Sequence, residues 1–151
     1  AGNIYSRFSN PNSQEFIDKL CVLEQTEDGI ATATGMAAIF ATFMGLLQSG
    51  DHILSSASVF GSTHTLFTKL FPKWGITHTY FTSDSIEKLE QIVQPNTKVL
   101  YCETPSNPGL QILDLELLSK FCHQHSILHP YEWVKISSFD LAGLSTLPTE
   151  Y

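Results

Sequence analysis

A β-rich segment, a short helical segment and a second β-rich segment follow one another in residues 51–81, which read DHILSSASVFGSTHTLFTKLFPKWGITHTYF. The first β-rich part is His52–Ser55, the helical part is Thr63–Leu70, and the second β-rich part is Ile76–Phe81. Strands separated by helices are typical of βαβ units, in which a helix connects two parallel strands. Residues 51–81 therefore predict an α/β fold.

The same alternation extends in both directions along the chain. Upstream, the pattern predicts a helix that begins with a capping box at Asn12–Glu15, a short buried strand at Gly29–Thr34, and a helix from Gly35 to Gly50. We expect the helix from Gly35 to be buried on every face, because it contains no charged residue.

Downstream, the pattern predicts a helix capped by Asp84, a strand at Thr97–Cys102 and a helix from Asp114 to about Gln124. These segments together predict a three-layer α/β fold with a mostly parallel sheet and helices on both faces. Ser126–Leu128 is the start of one more predicted strand, and residues 129–151 show no sustained period. We assign no secondary structure to that tail.

The composition excludes several classes of protein. The chain has 151 residues, 42% of them hydrophobic, and a net charge of −7, which argues against disorder. Its single arginine, Arg7, argues against nucleic-acid binding, and no segment has the length and apolarity of a membrane span. Three widely spaced cysteines fit a reducing compartment, so we expect a cytoplasmic protein. Because the chain opens on Ala1, we also expect residues to be missing upstream.

The segment Thr32–Ala37 predicts an anion site. A strand ends there, Gly35 makes a turn, and an apolar helix begins without an acidic residue in its first turn. The free N–H groups and the dipole of such a helix terminus attract phosphate. The alternative is that Thr34 simply caps the helix.

Three further segments carry candidate ligand-binding residues. Tyr5 and Arg7 lie in an extended segment where they can grip a phosphate, although a surface arm explains them as well. Phe60 follows a strand and can cover a flat heterocycle, although a core phenylalanine is common. Asn107 lies in the Pro-bracketed loop at Thr104–Pro108, which by itself is only a turn.

A metal site is the competing interpretation for four side chains near the end of the last predicted helix. They are Cys122, His123, His125 and His129. His123 and His125 are two residues apart, so they face apart on a helix. The sequence favours a helix with Phe121 and Cys122 directed inward and the histidines in solvent, and we assign no metal ligand.

The four ligand-binding segments, in this order and spacing, resemble one family. They are Tyr5–Asn12, Ala31–Ala38, Ser58–Thr63 and Glu103–Gly109. They look like the Cys/Met-metabolism family of pyridoxal 5'-phosphate (PLP) enzymes, which has an aspartate-aminotransferase-like fold. Within that family they look most like the O-succinylhomoserine and O-acetylhomoserine sulfhydrylases. The resemblance covers about residues 4–128.

The resemblance implies a phosphate site with contributions from two subunits. The backbone of Gly35 and Met36 would bind the PLP phosphate, in agreement with the argument from the helix terminus. Tyr5 and Arg7 would reach the phosphate of a neighbouring subunit, so the parent protein would be a homo-oligomer with shared active sites.

The resemblance also implies a ring site and a reaction. Phe60 would stack on the cofactor ring, and Asn107 would lie against its phenolic oxygen. Much of the family has Tyr at the position of Phe60, so stacking would remain while the proton-transfer role of the hydroxyl would be lost. The parent reaction would be γ-replacement, in which sulfide displaces the acyl group of an O-acylhomoserine to give homocysteine in methionine biosynthesis.

Two functional residues of the family have no counterpart in this chain. The Asp that pairs with the pyridine nitrogen would fall near residues 128–132, which read LHPYE, and Pro130 would interrupt a central strand. No lysine stands in a motif like that of the Schiff-base lysine, and Lys135 has unmatched surroundings. We therefore predict that this chain alone does not perform the reaction.

These observations lead to one domain assignment and two alternative functions. Residues 1–128 are predicted to be part of a PLP-dependent transferase large domain, and residues 129–151 a divergent tail. The alternatives to a sulfhydrylase are a cystathionine γ-synthase or γ-lyase type of enzyme, and a catalytically dead assembly partner. A shifted reading frame after Leu128 would explain the tail.

Overall fold

The computed structural model describes residues 5–6 and 10–127 of the chain. The described residues divide into two compact units, of which the first ends at Ala38 and the second begins at Ile39. The predicted strand start at Ser126–Leu128 falls at the end of this range, where Ser126 closes a helix and Leu128 is outside the described residues. The predicted tail, residues 129–151, also lies outside them.

The first unit contains helix α1, Pro11–Glu24, which is capped two residues earlier than predicted. Asn10 Oδ1 accepts hydrogen bonds from the backbone N–H groups of Asn12, at 2.9 Å, and Ser13, at 3.3 Å. The predicted cap at Asn12 is therefore wrong. The reason is Pro11, which lacks an N–H and has a fixed φ, both of which suit the first position of a helix.

The predicted strand at Gly29–Thr34 is not present in the described structure. These residues form no β-ladder and are exposed, with Ile30 89% accessible. A strand needs a neighbour for its backbone N–H and C=O groups, and no described strand pairs with this segment. A short apolar, β-branched pattern does not reveal whether such a neighbour exists.

Helix α2, Gly35–Leu46, begins where predicted but is not buried on every face. Only Ile39 and Phe43 are buried within it, and Ala37, Ala41 and Gly45 form an exposed stripe. The absence of charged side chains means that a helix can be buried on every face, but it does not show that other elements cover each face. The described part of the chain covers only one of its faces, so this prediction is wrong.

The second unit is built on three parallel strands. They are β1 (His52–Ser56), β2 (Thr77–Phe81) and β3 (Thr97–Tyr101), in the spatial order β2–β1–β3. Each lies within two residues of a predicted strand at either end. Parallel pairing requires crossover connections, and those connections are helical here, as the alternation predicted.

The helical connections are less regular than the sequence suggested. Helix α3, Gly61–Thr65, continues into a π-helical turn at Leu66–Leu70 and a 3₁₀ turn at Phe71–Trp74. After β2, a 3₁₀ segment at Ser83–Lys88 runs into helix α4, Leu89–Ile92.

The predicted cap at Asp84 is wrong. Thr82 occupies that position, because its backbone and hydroxyl form a reciprocal capping box with Ser85. Helix α5, Leu115–His125, lies within one residue of the predicted helix at either end, and Asp114 is its N-cap, with Oδ1 accepting from Leu117 N.

Helical segments cover both faces of the sheet. On one face, the rings of Phe43, Phe67 and Phe71 pack together, and Phe43 and Phe67 both contact Tyr101 of β3. On the other face, Leu54 and Leu100 belong to a buried cluster with ten members, including residues of α4 and α5. The predicted three-layer α/β architecture is confirmed. None of the helices in the described ranges combines the length and apolarity that a membrane crossing needs.

Candidate functional site

The loops that follow β1 and β3 meet at the carboxyl edge of the sheet, where α/β proteins usually bind ligands. Phe60 lies in the first of these loops, directly before α3, and its side chain is 45% exposed. Its carbonyl accepts a hydrogen bond from His64 N at 3.0 Å, and its N–H donates to Glu103 Oε2 at 2.8 Å. The backbone of Phe60 is thus held on both sides while its ring remains accessible.

Glu103 connects the two loops through a single carboxylate. In addition to the N–H of Phe60, it accepts hydrogen bonds from the Tyr101 hydroxyl at 3.0 Å and the Thr63 hydroxyl at 3.2 Å, both on Oε1. Burial, together with the charge of Glu103, raises the pKa of Tyr101, so the phenol remains a donor at neutral pH. The same two causes raise the pKa of the Cys102 thiol to about 12, which keeps it protonated.

Gln111 links the carboxyl ends of all three strands. Its Oε1 accepts from Ser58, which follows β1, and its Nε2 donates to Ser83, which follows β2, both at 2.7 Å. Its backbone N–H donates to Ser106 Oγ at 2.9 Å, and its carbonyl accepts from Ser106 N at 3.0 Å. Ser106, which follows β3, is buried, whereas the adjacent Asn107 is exposed at the tip of the loop.

The structure therefore brings two predicted site residues, Phe60 and Asn107, to one edge of the sheet on loops that are joined by side-chain hydrogen bonds. Sequence reasoning quoted Glu103 only as part of a motif, and it missed Gln111. A carboxylate placed directly after a buried strand was the available signal for Glu103. Gln111 carries no comparable signal, because its partners Ser58 and Ser83 lie 53 and 28 residues away in the sequence.

The first turn of α2 presents two free N–H groups. Thr34 Oγ1 accepts from Ala37 N at 3.1 Å, and the Thr34 carbonyl accepts from Ala37 N and Ala38 N. In the described structure, the N–H groups of Gly35 and Met36 meet no acceptor. No acidic residue lies in this turn. Thr34 thus caps the helix, as the simpler interpretation had it, and the terminus still offers two donors to an anion.

The structure says less about the remaining candidates, which are the Tyr5–Arg7 segment and the possible metal site. Tyr5 is 56% exposed, and Arg7 lies outside the described residues. Among the described residues, no three His, Cys, Asp or Glu side chains are grouped as a metal site would require. Phe121 and Cys122 are buried, His123 is exposed, and His125 lies 2.9 Å from Glu90 Oε1; His129 is outside the described residues.

A parallel α/β sheet whose loops meet at its carboxyl edge, and a helix terminus with free N–H groups earlier in the chain, are both typical of α/β domains that bind phosphorylated ligands. A family model described as Cys/Met metabolism PLP-dependent enzyme matches residues 1–130. The chain belongs to this family, whose members are PLP-dependent enzymes of sulfur amino-acid metabolism.

Individual relatives agree with this assignment. The chain is 42% identical over 127 residues to an O-succinylhomoserine sulfhydrylase of Pseudomonas aeruginosa, a match that covers 84% of this chain and 32% of the relative. It is 38% identical over 123 residues to an L-methionine gamma-lyase of Fusobacterium nucleatum, covering 82% of this chain and 31% of the relative.

A solved structure has the same fold. It is an O-acetylhomoserine (thiol)-lyase of Campylobacter jejuni that carries pyridoxyl-lysine 5'-monophosphate. It aligns with a TM-score of 0.78 and 36% identity over 85% of this chain and 32% of that one. The chain thus spans about a third of the length of the relatives it matches.

Proposed function

We propose that this chain is part of a PLP-dependent O-acylhomoserine sulfhydrylase, which replaces the acyl group of its substrate by sulfide to form homocysteine in methionine biosynthesis. The observation that carries the proposal is the pair of free N–H groups at Gly35 and Met36, in the motif where the family resemblance expects the cofactor phosphate. The similarity to two sulfhydrylases, of 42% and 32% identity, supports this reaction within the family.

The residues present fit two parts of PLP. The dianionic phosphate suits the acid-free start of α2, where Gly35 and Met36 can each donate one hydrogen bond. The flat pyridine ring suits the accessible face of Phe60, and Asn107 offers an exposed amide to the phenolic oxygen. When bound, PLP supplies an electron sink for a carbanion formed on an amino-acid substrate.

The fit is incomplete for covalent chemistry. None of the six lysines in the described residues lies in the loops at residues 57–60 or 102–110, and Lys135 lies outside the described part. The same two loops contain no Asp that could pair with the pyridine nitrogen. We infer that Gly35 and Met36 contribute to binding of the cofactor phosphate and Phe60 to binding of one ring face, and that the described loops supply neither the lysine nor the carboxylate.

We also propose that the parent protein is a cytoplasmic homo-oligomer. In the family resemblance, Tyr5 and Arg7 belong to an arm that reaches the phosphate of a neighbouring subunit. The exposed phenol of Tyr5 is compatible with such an arm. The three free cysteines are compatible with a reducing compartment.

γ-Elimination is the second candidate, because an L-methionine gamma-lyase and a cystathionine gamma-lyase are relatives at 38% and 39% identity. A chimera separates the two reactions. Residues 1–128 replace the matching third of the Pseudomonas sulfhydrylase, and the chimera is assayed for homocysteine from O-succinylhomoserine and sulfide, and for 2-oxobutyrate from methionine. Homocysteine formation supports the proposal, and 2-oxobutyrate formation alone contradicts it.

The phosphate site is tested on the chain itself. Gly35→Pro removes one N–H at the first helical position, which accepts proline without disturbing the helix. We expect PLP affinity to fall about tenfold or more, the loss typical of one hydrogen bond to a charged group. Binding of pyridoxal, which has no phosphate, should not change. Equal binding of PLP and pyridoxal by the unmodified chain would contradict the assignment.

A further inference from the structure

Glu103 is a half-buried carboxylate that holds only neutral donors. Its three partners are the backbone N–H of Phe60 and the hydroxyls of Thr63 and Tyr101, at 2.8, 3.2 and 3.0 Å. Within the described residues it forms no ion pair with Lys, Arg or His. Hydrogen bonds to an ionised acceptor are stronger and shorter than neutral ones, so this carboxylate fixes its donors firmly.

The geometry around Phe60 shows what the carboxylate fixes. The Phe60 carbonyl begins α3, because it accepts from His64 N, and the N–H on the other side of the residue has Glu103 as its acceptor. Thr63, in the first turn of α3, is fully buried and donates to the same carboxylate. With the backbone held at two points, the orientation of the exposed Phe60 ring depends only on its own χ angles.

The hydrogen bonds of Glu103 join the loop after β3 to the loop after β1, which are far apart in the sequence. Glu103 lies 43 residues after Phe60 and 40 residues after Thr63. It follows β3 by two residues, and Tyr101 at the end of that strand is buried among Phe43 and Phe67. The carboxylate therefore transmits the position of the rigid sheet to the loop that carries the ring.

We propose that Glu103 is a positioning residue that fixes the ring of Phe60 for stacking on the cofactor. The proposal rests on the proposed function only in naming PLP as the partner of the ring. In this role Glu103 is joined to Phe60 by the hydrogen bond from the Phe60 backbone N–H. It acts through the Phe60 backbone, so its removal should matter only as far as the ring matters.

The first test measures, without any cofactor, the hydrogen bond from the Phe60 N–H to Glu103, which we call the tether. Glu103→Ala removes the acceptor, and Glu103→Gln keeps an oxygen for the Phe60 N–H and an amide for the two hydroxyls. In the ¹⁵N-labelled chain we expect hydrogen exchange at the Phe60 amide to accelerate about tenfold or more in Glu103→Ala, as for loss of a charge-assisted bond. Exchange in Glu103→Gln should stay within a few-fold of that of the unmodified chain.

The second test asks whether the tether acts through the ring. PLP affinity is measured for Glu103→Ala, Phe60→Ala and the double variant. We expect both single variants to bind PLP more weakly, and the double variant to bind no more weakly than Phe60→Ala, since contacting residues are not additive. Glu103→Gln should restore most of the affinity. Glu116→Ala, which removes an exposed carboxylate paired with Lys120, is the matched control and should change nothing.

Two outcomes would overturn the proposal. One is unchanged Phe60 exchange in Glu103→Ala, and the other is a full additional loss of affinity when Glu103→Ala is combined with Phe60→Ala. If Glu103→Ala does not fold, the ¹H–¹⁵N spectrum of Glu103→Gln decides instead: loss of the charge on the acceptor of the Phe60 N–H should shift the Phe60 amide resonance, and an unshifted resonance would overturn the proposal. If the unmodified chain binds no PLP, the proposed function fails, whereas the exchange experiment still decides whether Glu103 fixes Phe60.

Discussion

His52 is a fully buried imidazole at the start of β1, on the opposite edge of the sheet from the candidate site. Its Nδ1 lies 2.8 Å from Thr97 Oγ1 and its Nε2 lies 2.9 Å from Thr79 Oγ1, so the ring bridges the two neighbouring strands. Burial, and secondarily the nearby His78, lower the pKa of His52. The folded chain therefore favours the neutral ring.

We predict that the chain loses stability on acidification because of this histidine. A group whose pKa is lowered by folding contributes its full stability above the unfolded value, about 6.5 for histidine. That stability is lost as the pH falls below it, with a slope of at most about 1.4 kcal/mol per pH unit for each group. His78, whose pKa is also lowered by burial and by His64, acts in the same direction.

Urea denaturation between pH 7.5 and 5 measures this effect. His52→Asn keeps a polar group and should be less stable at pH 7.5 but show a shallower pH dependence than the unmodified chain. His123→Asn is the comparison variant: it leaves the bridge from His52 to Thr79 and Thr97 in place, so it should retain the acid sensitivity that His52 causes. An unchanged slope in His52→Asn would show that the acid sensitivity arises elsewhere.

At the residue scale, the sequence predicted features formed by neighbouring residues but not contacts between residues that are far apart in the sequence. The phosphate-type terminus at Gly35 is visible locally, because a strand-like run, a glycine and an acid-free helix are adjacent in sequence. The contacts of Glu103 and Gln111 depend on register and loop length across the sheet, which the sequence pattern does not determine. Their roles therefore appear only with the fold.

At the scale of elements, buried strands were predicted well and their partners were not. β1 and β3 contain short apolar runs and β2 is rich in threonine and aromatic residues, so the positions of all three strands follow from local pattern. The segment Gly29–Thr34 has the same pattern but lacks a described neighbour, and it is a loop. The sequence predicted helices after β1 and β2 but not their π and 3₁₀ turns, because an apolar periodicity does not show which carbonyl accepts from each backbone N–H.

At the scale of elements, replacing two glycines by alanine should change the stability of the chain in opposite directions. Gly45 lies inside α2 with open space around it, so Gly45→Ala should stabilise the chain by about 0.5–1 kcal/mol. Gly75 has φ +73° before β2, and a Cβ there would lie 2.5 Å from Ser49 Oγ. Gly75→Ala should therefore destabilise the chain by about 1–2 kcal/mol, since a left-handed conformation is costly for residues with a Cβ.

Chemical denaturation of both variants tests this pair. Ser49→Ala supplies the matched background, because it removes the hydroxyl and leaves the next atom 3.6 Å from the added Cβ. In that background Gly75→Ala should still lower the free energy of unfolding, because the positive φ remains, but by less than in the unmodified chain, because the close contact is gone. Stabilisation by Gly75→Ala in either background would contradict the geometry of this turn.

At the scale of the whole molecule, the residues proposed to bind the cofactor stand in a chain whose described loops at the carboxyl edge of the sheet, residues 57–60 and 102–110, contain neither lysine nor aspartate. It spans about a third of the length of its relatives and contains the Gly35–Met36 terminus, Phe60 and Asn107. The C. jejuni structure carries its pyridoxyl group on a lysine. None of the described lysines of this chain lies in the loops at the carboxyl edge of the sheet. If the proposed function is right, recognition of the cofactor and covalent attachment to it are separable properties of this chain.

We predict that the chain binds PLP reversibly and forms no specific covalent link to it. The chain is mixed with one equivalent of PLP, treated with borohydride, and analysed by intact mass and peptide mapping. Because none of the described lysines lies in the candidate loops, we expect them to react with PLP only through collisions, so adducts should be few and spread over many lysines, as in a control treated after unfolding in urea. One equivalent of adduct on a single lysine in the folded chain, Lys135 included, would contradict the prediction, because a specific adduct requires an amine held next to the bound aldehyde.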